Sequence, residues 1–158
     1  MKYLFILLIG CGVQKYDNTC QIDGIKQITS EVPLNCELIQ MEVDLAKAIA
    51  YKYNLIPASK FNNAFKDIPI RVEDLLCLEY KDGSFEHGCI TGYYYSTPSP
   101  NIVLSKARHS LLHEMLHHWD SVHLSIGTFG HENWDKNGYY DACQEYQNQI
   151  TILWENNG

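Results

Sequence analysis

The sequence lacks any run of basic residues, because its 12 Lys and Arg are scattered among 19 Asp and Glu and the formal net charge is −7. Contacts with phosphate backbones need clustered Lys and Arg, so we expect no nucleic-acid partner. The chain also lacks an internal repeat, a low-complexity tract and an apolar run long enough to span a bilayer. With 158 residues, 46% of them apolar, it is expected to form one domain with a substantial core.

None of the six cysteines forms a C-x-x-C pair, so we expect no separate zinc site built from cysteines. In an oxidising compartment the five cysteines after Cys11 would form two disulfides and leave one thiol. We favour the pairs that are close in sequence, Cys20 with Cys36 and Cys77 with Cys89. The alternative is that all five are simply buried, small apolar residues.

The N-terminus carries a short apolar segment, residues 3–9, which is too short to span a bilayer. It ends in Leu8-Ile9-Gly10-Cys11, which resembles the lipobox of bacterial lipoproteins. That resemblance implies a signal peptide over 1–10 and a lipid on Cys11, which would become the mature N-terminus and hold the protein at a membrane surface. The expected location is the cell envelope, on the periplasmic or extracellular face. An ordinary signal peptide and a first strand are the alternatives.

The segment that follows, residues 11–35, is expected to be a tether and irregular lead-in, because Gly24, Pro33 and scattered polar residues interrupt any period. A helix is predicted over 36–53 with Asn35 as its N-cap. Its expected core stripe consists of Leu38, Met41, Leu45, Ala48, Ile49 and Lys52.

Further along, residues 57–69 are expected to be a loop, and 70–80 have strand composition at both ends. Asp82-Gly83 suits a hairpin turn, and residues 92–95 and 102–105 are predicted to form two strands joined by another hairpin. A C-terminal helix is predicted over 139–154, with an apolar face made of Tyr139, Cys143, Tyr146, Ile150 and Leu153. These elements predict an α+β fold with an N-terminal helix and a short, mostly antiparallel sheet.

The most informative stretch is His113-Glu114-Met115-Leu116-His117, which has the pattern H-E-x-x-H. Positions four apart on a helix lie on one face, one turn apart, so both imidazoles can reach a single metal ion. Glu114 is placed so that its carboxylate can hold a water molecule bound to that metal. Leu112, Met115 and Trp119 form a separate apolar stripe, so the predicted helix is amphipathic.

Together with the predicted strands before it, this helix resembles the zincin metallopeptidases over about sixty residues. The resemblance implies a small zincin-like domain over 36–158 that hydrolyses a peptide bond in a peptide or protein substrate. It also implies zinc as cofactor, with His113 and His117 as ligands and Glu114 as general base. A catalytic zinc site needs a third protein ligand and an open position for water.

Several residues are candidates for the third ligand. His131 lies fourteen residues after the second motif histidine with an aromatic three residues further on, which resembles the SprT-like zincins, and we favour it. His123 has the metzincin spacing, but Asp120 stands where that family has Gly, and no methionine lies downstream of the motif for a methionine turn. Glu145, on the predicted C-terminal helix, would be a ligand of the gluzincin type.

Asp120 lies one helical turn after His117, where it could accept a hydrogen bond from the non-metal nitrogen of a ligand histidine. The alternative is a side chain that faces solvent at the end of the helix. The favoured function is a membrane-anchored, monomeric zinc metallopeptidase. A non-catalytic envelope module with a zincin fold and a metal-dependent peptidoglycan amidase remain as alternatives. Glu114 favours an enzyme, because a structural metal site does not need that carboxylate.

Overall fold

The computed structural model describes residues 16–74, 76–77, 89–96, 99–123, 131 and 134–157. Its strands are β1 (Tyr16–Ile22), β2 (Ile25–Asn35), β3 (Pro69–Glu73), β4 (Leu76–Cys77), β5 (Cys89–Ile90), β6 (Gly92–Tyr95) and β7 (Asn101–Ser105). Its helices are α1 (Cys36–Lys52), α2 (Ala58–Phe65), α3 (Leu111–His123), α4 (Trp134–Asn137) and α5 (Tyr139–Asn157). The α+β class is therefore confirmed. Among the helices of these ranges, none has the length and hydropathy that a bilayer crossing requires.

The main sheet is mixed and has the strand order β1-β2-β3-β7-β6. The pairs β1–β2 and β6–β7 are antiparallel, whereas β2–β3 and β3–β7 are parallel. The prediction of a mostly antiparallel sheet is therefore wrong. Because α1 and α2 connect β2 to β3, the chain crosses over and returns in the same direction, which produces a parallel pair.

The prediction of an irregular lead-in is wrong for residues 16–35, which form the antiparallel hairpin β1–β2. Gly24 makes the turn with φ of +83°. Buried apolar side chains attach the hairpin to the core, among them Cys20, Ile22, Ile25, Ile28 and Leu34. At two register shifts between the strands, β2 contains more residues than β1, so a simple period of two fails to reveal β2 in the sequence.

The predicted loop over 57–69 is also wrong, because it contains helix α2 and the start of β3. Phe61 and Phe65 lie one helical turn apart, both fully buried, with ring centroids separated by 4.8 Å. The helix has only eight residues and Pro57 gives it no side-chain cap, so neither a sustained period nor a start signal marks it in the sequence.

Helix α1 has its predicted start and cap and ends one residue before its predicted end, but its buried face is different. The Asn35 side chain accepts hydrogen bonds from the backbone N–H groups of Glu37 and Leu38, at 3.1 and 3.2 Å. Met41, assigned to the core by the sequence, is 43% exposed. The residues that α1 buries are Ile39, Glu42, Val43, Ala46, Ile49 and Ala50. A charged residue belongs to the buried stripe, so the hydrophobic pattern indicated the wrong face.

The predicted disulfide between Cys20 and Cys36 is present and joins β1 to the start of α1. Cys77 and Cys89 are register partners in the short β4–β5 ladder, but their side chains lie outside the described part of the structure. Cys143 is a free, buried cysteine on α5. Cys11, the predicted signal peptide and the Asp82-Gly83 turn also lie outside the described residues.

Candidate metal centre

Helix α3 carries the H-E-x-x-H residues and follows the predicted β6–β7 hairpin, whose antiparallel pairing is confirmed. Between β7 and α3 the chain turns at Arg108, which adopts φ of +46° and donates its backbone N–H to Ser105 at 2.9 Å. The apolar face of α3 is buried, as predicted, through Leu112, Met115 and Trp119. This orientation leaves the two motif histidines half-buried on the other side of the helix.

The structure brings His113, His117 and His131 together. The Nε2 atoms of His113 and His117 are 3.1 Å apart, and those of His113 and His131 are 3.3 Å apart. One nitrogen from each of the three residues lies within 4.8 Å of the other two. Nitrogen ligands at about 2.0–2.1 Å from a tetrahedral ion would be separated by about 3.3 Å. The three imidazoles are therefore arranged so that they could hold one metal ion.

Burial determines the charge of the two motif histidines. It lowers the pKa of His113 to about 3, with smaller contributions from the neighbouring His117 and His131. Burial also lowers the pKa of His117 to about 4, with a smaller contribution from His131. Both rings are therefore neutral at physiological pH, which is the form that offers a nitrogen lone pair to a metal ion.

Glu114 faces a cavity of about 250 Å³ that also borders the histidines. Residues from β6 and α3 line it, namely Gly92, Tyr93, Tyr94, His113, Glu114 and His117. The Glu114 residue is only 5% exposed. Burial raises the pKa of its carboxyl to about 8, although a hydrogen bond from the Tyr94 backbone acts in the opposite direction. A bound cation would counteract that shift, because it favours the ionised carboxylate.

Gly92 allows β6 to approach this carboxyl closely. A Cβ atom at position 92 would lie 2.2 Å from Ser110 Oγ and 3.0 Å from Glu114 Oε1. Any larger residue would therefore displace one of these side chains. The hydroxyl of Ser110 is buried and has no hydrogen-bond partner among the described atoms. The requirement for glycine was not recognised from the sequence, because it depends on how closely α3 approaches the strand.

The alternative third ligands lie elsewhere. His123 is exposed at the end of α3, where its ring packs on Trp119 with a centroid distance of 3.9 Å. Glu145 accepts hydrogen bonds from the Lys52 ammonium at 2.6 and 2.8 Å and from the Tyr53 hydroxyl at 2.9 Å. Neither residue belongs to the histidine cluster that the described residues form.

The hydrogen bond expected from a ligand histidine to Asp120 is not formed among the described residues. The Asp120 carboxylate instead accepts a hydrogen bond from the hydroxyl of Tyr139 at 2.7 Å. Sequence reasoning also gave no role to Trp134, whose ring centroid lies 4.6, 4.7 and 4.4 Å from those of the three clustered histidines. In the sequence, only the position of Trp134 three residues after His131 singles it out, and that spacing does not predict a contact with the rings of His113 and His117.

The chain was compared with protein-family models, curated proteins and solved structures, and none of them matches it. Its function is therefore inferred from the chemistry and geometry of its own residues.

Proposed function

We propose that this protein is a zinc-dependent metallopeptidase of the zincin type. His113, His117 and His131 are the metal ligands, and Glu114 is the general base. The observation that carries this proposal is the group of three ring nitrogens, together with a buried Glu114 carboxyl whose residue lines the same cavity as His113 and His117. Neutral imidazoles suit zinc among several divalent transition metals, and three protein ligands leave the fourth position of a tetrahedral ion open for water.

A zinc ion held by these residues would lower the pKa of its bound water to about 7. Glu114 follows His113 directly in α3 and borders the cavity, so its carboxylate is placed to take a proton from the attacking water. Its burial raises the pKa and favours the protonated form, which suits later return of the proton to the leaving amine. One carboxyl group therefore acts first as base and then as acid.

The substrate of this proposed reaction is an extended peptide that pairs with β6. This strand comes last in the order of the main sheet and borders the cavity through Gly92, Tyr93 and Tyr94. An edge strand offers backbone N–H and C=O groups to a peptide that adds as a further strand. Because position 92 has no side chain, β6 itself lies close to Glu114, so a peptide that pairs with this strand would be held near the proposed base.

The proposal includes a location in the cell envelope, with residues 1–10 removed and a lipid on Cys11. It is supported by the lipobox resemblance and by the disulfide between Cys20 and Cys36, since disulfides persist in oxidising compartments. Cys11→Ser should move the protein from the membrane fraction to a soluble or unprocessed form. Mass spectrometry of native material that shows an unmodified Cys11 would contradict this part of the proposal.

The catalytic role is tested with Glu114→Gln in the soluble protein that begins at residue 12. This change keeps the size of the side chain and all three metal ligands but removes the base. The variant should still bind about one zinc ion per chain, whereas hydrolysis of a fluorogenic peptide library should fall at least about 10²-fold. Glu145→Gln is the matched control, because Glu145 lies outside the cluster, and it should retain activity.

The ligand assignment is tested with His131→Ala and His123→Ala. The first should lose zinc affinity together with activity, and the second should retain both, as measured by elemental analysis and by the same peptide assay. Zinc lost with His123→Ala but kept with His131→Ala would contradict the ligand assignment. Wild-type protein that binds no zinc, or undiminished hydrolysis by Glu114→Gln, would contradict the proposed function.

A further inference from the structure

His131 lies outside α3, so contacts other than the helix must determine its position beside His113 and His117. Trp134 supplies two such contacts. Its backbone N–H donates a hydrogen bond to the carbonyl of His131 at 3.0 Å. Its indole ring also packs against the His131 ring with a centroid distance of 4.4 Å. The position of His131 therefore follows the position of Trp134.

Trp134 in turn contacts both α3 and α5. It is 2% exposed and its ring lies 4.6 Å from that of His113 and 4.7 Å from that of His117, measured between centroids. It also packs edge-on against Tyr139, the first residue of α5, with a centroid distance of 5.2 Å. A displacement of Tyr139 would therefore be transmitted to all three histidines.

Tyr139 is connected back to α3 by one hydrogen bond. Its hydroxyl donates to Oδ1 of Asp120 at 2.7 Å, and Asp120 lies one turn after His117. Burial raises the pKa of Asp120, whereas hydrogen bonds from Tyr139 and, to a smaller extent, from Trp134 act to lower it. The contacts therefore run from Asp120 on α3 to Tyr139, from Tyr139 to Trp134, and from Trp134 to His131.

We propose that Asp120 and Tyr139 are positioning residues of the metal site. Their hydrogen bond joins α5 to α3 and fixes the position of Tyr139. Tyr139 in turn holds Trp134, and Trp134 keeps the His131 ring at ligand distance from the motif histidines. This inference rests on the metal site of the proposed function but not on peptide hydrolysis. Partners that orient metal ligands typically contribute about 10- to 100-fold in metal affinity. We expect the lower end here, because Asp120 and Tyr139 act through an intermediate residue.

The test compares Tyr139→Phe with Tyr53→Phe in the soluble protein that begins at residue 12. Each change removes one hydroxyl that donates to a carboxylate, at 2.7 Å for Tyr139 and at 2.9 Å for Tyr53. The zinc dissociation constant is measured by competition with a chromophoric chelator. Tyr139→Phe should bind zinc about 10-fold more weakly than wild type, and Tyr53→Phe should stay within about twofold of it. The visible absorption spectrum of the cobalt-loaded protein should change only for Tyr139→Phe.

Asp120 provides a second pair of variants that remains decisive if Tyr139→Phe does not fold. Asp120→Asn keeps a carbonyl oxygen that can accept from Tyr139 and should bind zinc nearly as tightly as wild type. Asp120→Ala removes the acceptor and should weaken zinc binding about 10-fold. Rescue by Asn separates a positioning hydrogen bond from a simple requirement for charge.

The inference is overturned if Tyr139→Phe and Asp120→Ala bind zinc as tightly as Tyr53→Phe, even if their thermal unfolding temperatures fall. That result would mean that the hydrogen bond stabilises the fold without positioning His131. Wild-type protein that binds zinc but hydrolyses no peptide would contradict the proposed function and leave this inference intact. Wild-type protein that binds no zinc would overturn both.

Discussion

The carboxylate of Glu42 is fully buried on α1 and receives three hydrogen bonds. Its Oε2 accepts from Arg108 Nε at 2.7 Å, and its Oε1 accepts from Arg108 Nη2 at 2.7 Å and from Trp154 Nε1 at 2.8 Å. Arg108 stands three residues before α3, and Trp154 lies on α5. The ion pair therefore joins the start of α3 to α1, and the hydrogen bond from Trp154 joins the same carboxylate to α5.

Glu42→Gln should destabilise the protein strongly. The new amide NH₂ would face an N–H group of Arg108 or Trp154, and two donors cannot hydrogen-bond to each other. The Arg108 side chain, only 12% exposed, would also lose its counter-charge. Removing one partner of a buried ion pair costs about 3–5 kcal/mol in the free energy of unfolding. With a urea m-value of about 2 kcal/mol/M, the unfolding midpoint should fall by about 2 M.

The assay is urea unfolding of the protein that begins at residue 12, followed by far-UV circular dichroism with the disulfide between Cys20 and Cys36 intact. Asp74→Asn is the matched control, because it neutralises the carboxylate of an exposed pair with Lys106, whose side chains are 59% and 62% exposed. An exposed pair contributes at most about 1 kcal/mol. If the midpoint of Glu42→Gln were as close to wild type as that of Asp74→Asn, the assigned role of the buried pair would be refuted.

Three further predictions follow from single features of the structure. Replacing Cys20 and Cys36 together by Ala should lower the free energy of unfolding by about 3 kcal/mol, because their disulfide closes a loop of sequence separation 16, and urea unfolding that is unchanged would contradict this. Burial raises the pKa of the Cys143 thiol to about 12, so the reactive thiolate is scarce at pH 8 and increases only as the pH approaches 12. Iodoacetamide should label Cys143 at pH 8 only after unfolding, which peptide mass spectrometry can check, and labelling of the native protein would be the contrary result. Gly92→Ala should displace the Glu114 carboxyl and reduce peptide hydrolysis at least about 10-fold while zinc stays bound, and full activity would show that the close approach is unimportant.

Features that depend on residues close in sequence were predicted well. The Asn35 cap, the C-terminal helix and the β6–β7 hairpin agree with the structure, because caps, helical periods and tight turns are local properties. The C-terminal helix extends three residues beyond its predicted end, and Leu153 is only half-buried. The spacing of His113 and His117 is equally local, since a helix places residues four apart on one face whatever surrounds it.

Features that depend on contacts between residues far apart in the sequence were not predicted. The parallel pairs of the main sheet require crossovers, and no local pattern in the strands specifies their neighbours. The buried face of α1 was misplaced because Glu42 is polar in the sequence, and only its ion pair with Arg108, 66 residues away, makes burial acceptable. Helix α2 was too short to show a period.

The sequence by itself determined that two histidines and a glutamate share one helix, because i, i+4 geometry is intrinsic to the helix. It left the third member of the cluster open among His131, His123 and Glu145, because spacing along the chain does not specify distance in space. The tertiary structure decided that question through packing: His131 lies beside the motif histidines and packs on Trp134, whereas His123 packs on Trp119 and Glu145 pairs with Lys52.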